Sequence, residues 1–182
     1  MSAPEHVLPE TLAARPHDRR RGIPIPYVNE KDDHTADFAA IQSARVLTCA
    51  RERLCGSCGQ PLGWWLAFLG GPRAASERAY LDPPMHPDCA LASLTLCPHI
   101  ARREHRRAPE HRVSADTITP ELMTETKPDR WVMGICRDYE ARIIAPRTPQ
   151  SHVLFLAKPF KRIRSWSYIP DGRLTEDPPQ RQ

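Results

Sequence analysis

The sequence predicts an α+β fold: a small helix–hairpin–helix module over about residues 37–107, followed by an antiparallel β-sheet lobe over about 128–170 packed on it. Three observations predict it. Apolar residues recur at helical spacing between Asp37 and Leu54. Two close pairs of sulfur and imidazole side chains, Cys55/Cys58 and His86/Cys89, bracket a strand-like apolar run. Short β-type segments crowd the stretch from Trp131 to Ile169.

Residues 1–35 are polar, punctuated by proline and marked by Arg19–Arg20–Arg21, so they are expected to be mostly flexible. Within them Ile23, Ile25 and Tyr27 are spaced to lie against the domain as an extended strand. Phe38, Ile41, Ala44, Leu47, Ala50 and Leu54 then form one helical stripe, with Ser43 placed to cap a fresh start. The run from Leu62 to Leu69 reads as a strand ended by Gly70–Gly71–Pro72. Asp82–Pro83–Pro84 must be extended. Pro87 suits a first helical turn, and Asp88 complements its dipole. Leu91, Leu94 and Leu96 carry that helix to Pro98, and the basic segment 99–107 follows as a further helical turn or two. Thr119–Pro120–Glu121 predicts a short helix to about Thr126. WVMGIC (131–136) and EARIIA (140–145) read as a hairpin around Arg137–Asp138–Tyr139. Two more strands cover 152–157 and 162–169. The last alternates, with Ile163, Ser165, Ser167 and Ile169 on one face and Arg162, Arg164, Trp166 and Tyr168 on the other. The tail, 171–182, is expected to be flexible.

Composition argues that such a fold needs a staple. Twenty prolines against eight glycines cut the chain into short elements, and aromatics make up only 7% of it. A core so lean in large side chains often depends on a covalent or metal cross-link. No apolar segment has the length of a membrane span, and the N-terminal stretch lacks the apolar centre of a signal peptide. The expectation is therefore a reducing cytoplasm, where six cysteines serve as thiols or metal ligands rather than disulfides. A net charge of +4 is ordinary solubility and selects no partner.

The staple is legible. Cys55 and Cys58 are two residues apart, His86 and Cys89 likewise, and 27 residues separate the pairs. Zn2+ takes four thiolate or imidazole ligands at tetrahedral corners, commonly as two such pairs. Gly56 and Gly59 suit the tight turn that aims both thiols at one point. A redox pair would need a helix running on from Cys55, which Gly59–Gln60–Pro61 opposes. Cys49, Cys97 and Cys136 are expected as small core hydrophobes, with His99 a substitute ligand should His86 face away.

A CxxC knuckle, a hairpin and a helix whose first turn supplies the last ligands resembles the treble-clef zinc finger, over about residues 50–100. The resemblance rests on Cys55, Gly56, Cys58, Gly59, His86 and Cys89, and it implies structural zinc. The whole chain also resembles small proteins of actinobacteria and their phages, a likeness that implies no activity. Treble clefs serve many functions, so the fold selects none.

The leading functional expectation is a non-catalytic zinc protein that contacts nucleic acid. Its features are the basic segments 99–112 and 158–168: Arg102, Arg103, Arg106 and Arg107, then Lys161, Arg162 and Arg164 interleaved with Trp166 and Tyr168. The alternative is a protein-binding adaptor that uses Trp64 and Trp65, or the C-terminal sheet. An enzyme is the least favoured class. Residues 63–84 contain no histidine of the kind treble-clef nucleases require, and four protein ligands leave zinc no open position. No small-molecule substrate and no membrane partner are inferred.

Overall fold

A computed structural model of the chain describes residues 8–38, 40–103, 117–118, 127–144 and 152–179. The fold is α+β, with five α-helices and antiparallel sheets among the described residues. In chain order the helices are α1 (Glu10–Ala13), α2 (Ser43–Glu52), α3 (Pro72–Glu77), α4 (Pro87–Leu96) and α5 (Pro98–Ala101). The strands are β1 (Ile41–Gln42), β2 (Leu66–Gly70), β3 (Ala79–Tyr80), β4 (Thr117–Ile118), β5 (Arg130–Cys136), β6 (Tyr139–Ile144), β7 (His152–Ala157), β8 (Arg162–Tyr168) and β9 (Leu174–Glu176).

Strands β2-β5-β8-β9 form one sheet, β3-β7-β6 a second, and β1 pairs with β4. Strand β2 explains how the sheets, helices and knuckle share cores. Leu66 and Phe68 enter a cluster with Val46 and Cys49 of α2, Tyr80 of β3, Tyr139 of β6 and Phe155 of β7. Ala67 and Leu69, on the opposite face, join Ala90 and Leu94 of α4, Ile100 of α5, Trp131 and Met133 of β5 and Trp166 of β8. A strand covered on both faces must be apolar without alternation, which is why LAFL is an unbroken run. The segments before and after residue 128 therefore share a sheet and both of these cores.

Several expectations change with the topology. The helix begins at Ser43, not at Asp37, because Ile41–Gln42 is taken up by pairing with Thr117–Ile118. Trp64 and Trp65 precede β2 rather than lying in it. The segments 131–136 and 140–144 are both strands, yet they do not pair as a hairpin. Strand β5 lies between β2 and β8, whereas β6 pairs with β7 in the other sheet. Arg137–Asp138 is thus a crossing between sheets. Nor do β2 and β3 form a hairpin between the two ligand pairs, since β3 pairs with β7. Instead Ala67 exchanges two backbone hydrogen bonds with Met85, at 2.8 and 2.9 Å, immediately before His86. The helix expected at 119–126 lies outside the described residues, as does the basic stretch beyond Arg103.

Residues 8–38 lie against the domain. Leu12, Ile25 and Val28 are buried, whereas Ile23 and Tyr27 are half-buried and Tyr27–Asn29 forms a 3-10 turn rather than part of an extended strand. Glu30 ties this segment down from beneath. It is 3% exposed and receives Arg15 from its own segment, Arg45 of α2 at 3.1 Å and His34 at 2.7 Å.

One close approach yields a direct test of the packing. A β-carbon on Gly134, mid-way along β5, would stand 2.4 Å from ring atoms of Phe160. Gly134→Ala is expected to cost about 1–3 kcal/mol through this overlap. The midpoint of urea unfolding measures it, and pairing the change with Phe160→Leu should recover part of the loss.

Candidate metal centre

The first two ligands sit on a knuckle that the backbone closes twice. Helix α2 ends at Arg53 in a left-handed conformation (φ 54°), which turns the chain back on itself. The Cys55 amide then donates to the Gln60 carbonyl (2.8 Å), and the Gly59 amide donates to the Cys55 carbonyl (2.8 Å). Gly59 adopts φ +73°, and a β-carbon there would meet the Tyr27 ring at 2.7 Å, so glycine is required on two counts. The second pair opens α4. His86 is its N-cap residue, Pro87 fills the first turn where a missing N–H costs nothing, and Cys89 follows one turn on.

The bridge between Ala67 and Met85 sets these pieces face to face. Sγ of Cys55, Cys58 and Cys89 and a ring nitrogen of His86 all lie within 4.8 Å of one another. The three sulfurs are at most 1% exposed by residue. This Cys3His cluster can hold a metal ion, and its donor set fits one well. His86 Nε2 is 3.0 Å from the Pro61 carbonyl, which accepts only if Nε2 carries the proton. That tautomer leaves the Nδ1 lone pair facing inward, 3.4 Å from Cys58 Sγ and 3.9 Å from Cys89 Sγ. The His86 amide also donates to Cys55 Sγ at 3.4 Å, a contact that stabilises a thiolate.

Proton affinities in the cluster are pulled apart, as expected of four donors crowded round one point. Hydrogen bonds with Cys55 and Cys89 hold the Cys58 thiol far below its usual range, while those with Cys55 and Cys58 push Cys89 up. Hydrogen bonds with the Cys55 and Cys58 sulfurs raise His86 to about 10. A bound cation would take the place of the protons these groups share.

The surroundings of the cysteines are apolar and built from both sides of the chain. Leu12, Ala92, Leu62, Met85 and Leu96 pack around the cysteines. The Tyr27 amide donates to Ser57 O (2.8 Å) and the Val28 amide to Gly56 O (3.1 Å), so the N-terminal segment straps the knuckle.

The remaining cysteines pack elsewhere. Cys49 is fully buried in the α2–β2 core and pushed up to about 12, first by burial and then by the neighbouring Cys55 charge. Cys136 is fully buried, raised chiefly by burial, and donates to the Asp138 carbonyl at 3.4 Å. Cys97 packs at the edge of the α4–β5 core. His99 stands edge-on to Trp131, with ring centroids 5.9 Å apart, and the cluster is complete without it.

Arg103 pairs with Asp129 at 2.8 Å, and Arg102 bridges through its backbone to Arg173. Arg106 and Arg107 lie outside the described residues. Arg164 is engaged by both carboxylate oxygens of Glu176, at 2.7 and 2.8 Å. Trp166 is buried, and the Tyr168 hydroxyl accepts from Trp131 Nε1 (2.8 Å) and donates to the Ile100 carbonyl (2.6 Å). Lys161 and Arg162 are exposed.

A different cluster forms at the end of the larger sheet. Leu66 pairs with Cys136, which sets Trp65 across from Arg137. Ile135 pairs with Arg162, which brings Lys161 alongside. The Lys158 amide donates to the Asp138 carbonyl at 3.0 Å, which brings a third segment to this end, and the Lys158 charge acts on Asp138 and Glu140. Among the described residues none of Arg137, Lys158, Lys161 and Arg162 has a carboxylate within 4.0 Å, whereas the acids nearby are already matched. Asp138 pairs with Arg53 at 2.9 Å and Glu140 with Arg142 at 2.7 Å. The sequence signal for this cluster was a basic residue at each chain reversal, with nothing to say that the reversals meet.

Among the described residues no helix is long and apolar enough to cross a membrane. The chain matches no family model, and comparison with curated proteins and with solved structures finds no similar protein.

Proposed function

We propose that the protein is a non-catalytic, zinc-stabilised nucleic-acid-binding protein. The reading has two parts. Cys55, Cys58, His86 and Cys89 hold one Zn2+ in a closed, structural, treble-clef-like site, supported by an all-sulfur-and-imidazole donor set with no fifth position for substrate. The metal-held knuckle leads directly into β2, whose lead-in residues Trp64 and Trp65 border the cation cluster.

The observation that carries the binding part is that cluster. Arg137, Lys161 and Arg162 stand at two chain reversals and, among the described residues, have no carboxylate within 4.0 Å, beside two exposed indoles. Cations left unmatched while neighbouring acids are matched make a local positive field suited to a phosphate backbone.

Binding of a labelled oligonucleotide, followed by anisotropy over a salt series, tests the reading. Affinity is expected to fall linearly on a log–log plot. Lys161→Ala with Arg162→Ala should weaken binding and flatten the slope by about 0.7 for each cation removed. A slope indifferent to both substitutions, or no binding at low salt, rejects it.

A further inference from the structure

We infer that the target strand is single, and that Trp64 is the platform on which one of its bases stacks; this rests on the nucleic-acid reading above. Trp64 is 73% exposed and Trp65 38% exposed, an arrangement that water penalises and a soluble surface rarely keeps without use. The two rings are not loose. The Arg137 guanidinium lies over both, 4.5 Å from the Trp64 centroid and 3.8 Å from that of Trp65. Arg137 is fixed in turn by the ladder, because it follows the Leu66–Cys136 pair directly.

This geometry divides the labour among the three side chains. Trp65, the less exposed indole, backs the guanidinium. The guanidinium lies over the Trp64 ring, which still keeps most of its surface in solvent. A guanidinium stacked on rings keeps its N–H donors at its edge, and among the described residues no hydrogen bond or ion pair engages those of Arg137. An exposed aromatic ring beside unsatisfied donors matches the two parts of an unpaired nucleotide, a base with an exposed π-face and a phosphate. A duplex offers the phosphate but keeps its base faces stacked inside. The matched acids nearby and the added charges of Lys158, Lys161 and Arg162 favour a polyanion over a protein surface on the same rings.

The test uses the zinc-loaded full chain and one mixed-sequence oligonucleotide of about twelve nucleotides, as a single strand and as its duplex. The single strand is expected to bind more tightly and to quench tryptophan fluorescence. Trp64→Ala should weaken single-strand binding at least about fivefold, the lower end of a lost base stack, and leave duplex binding unchanged. Trp64→Phe should retain most of the affinity. Because the side chain is solvent-exposed, the melting temperature of W64A should match the parent, which separates lost stacking from lost fold. Equal affinity for both forms, or single-strand binding indifferent to W64A, overturns the inference; if that binding still responds to salt and to the Lys161/Arg162 pair, the nucleic-acid reading stands. No binding to either form at low salt overturns both. A protein that co-purifies with the parent and is lost from W64A, with oligonucleotide affinity unchanged, would make the rings a protein-docking surface and likewise overturn the inference.

Discussion

Replacing Cys89 with serine, or stripping the metal with a chelator, is expected to abolish cooperative unfolding altogether rather than to lower it by a few degrees. The cysteines lie in a small apolar cluster with Leu12 and Ala92, between the N-terminal strap and α4. Without a cation, three buried sulfurs and a half-buried imidazole must share protons among themselves. Structural zinc sites in small fingers contribute about 10–16 kcal/mol, as much as or more than the roughly 5–15 kcal/mol net stability of an ordinary domain. The loss should spread, because the knuckle also seats the strap through Ser57 and Gly56 and leads into β2, which carries two cores. Near- and far-ultraviolet circular dichroism during a thermal scan provides the measurement, with metal content determined on the same sample. Thiols and imidazole must lose protons to bind, so zinc uptake should acidify a weakly buffered solution and weaken as pH falls. A Cys89→Ser protein that melts like the parent would refute the structural metal.

Glu30→Gln is expected to have the next largest effect, about 3 kcal/mol of destabilisation. The carboxylate is almost wholly buried and faces Arg15, Arg45 and His34, with the two guanidiniums only 15% and 22% exposed as side chains. Removing its charge strands those guanidiniums in a poorly solvated site, which costs more than the pair contributed. Burial acts to raise the Glu30 carboxyl. Hydrogen bonds from His34 and Arg15, with the charges of Arg15 and Arg45, outweigh it and hold the group below its ordinary 4.5. A depressed folded value means that the stabilisation is fully present above the unfolded value and is lost as pH falls through the folded one. The parent should therefore lose stability below about pH 4.5 more steeply than Glu30→Gln does, read from urea midpoints across a pH series. Matching acid limbs for the two proteins would contradict this account.

The parts of this molecule that were legible in the sequence are those set by local spacing. The four metal-site residues are two i, i+3 pairs, and each pair comes together by a single turn of chain. The run HVLFLA is strand β7 residue for residue, a short apolar run of strand length whose valine and phenylalanine suit a pleated surface. What misled was adjacency. Cys136 and Tyr139 are close enough in sequence to suggest a hairpin, but each strand buries its apolar side more fully with a distant partner, β5 with β2 and β6 with β7. Trp166 and Tyr168 show the same limit. Aromatics between arginines look like a stacking face, yet register against β5 turns that face inward onto Trp131.

By itself the amino-acid order determined the four candidate ligands, the α+β character and most of the strand segments, since each depends on groups within a few residues of one another. Only the tertiary structure decided which strands pair, that the N-terminal segment clasps the knuckle, and that Arg137, Lys161 and the two exposed tryptophans meet at one sheet end. Those outcomes turn on burying both faces of β2, a condition that is written across the whole chain and in no single stretch of it.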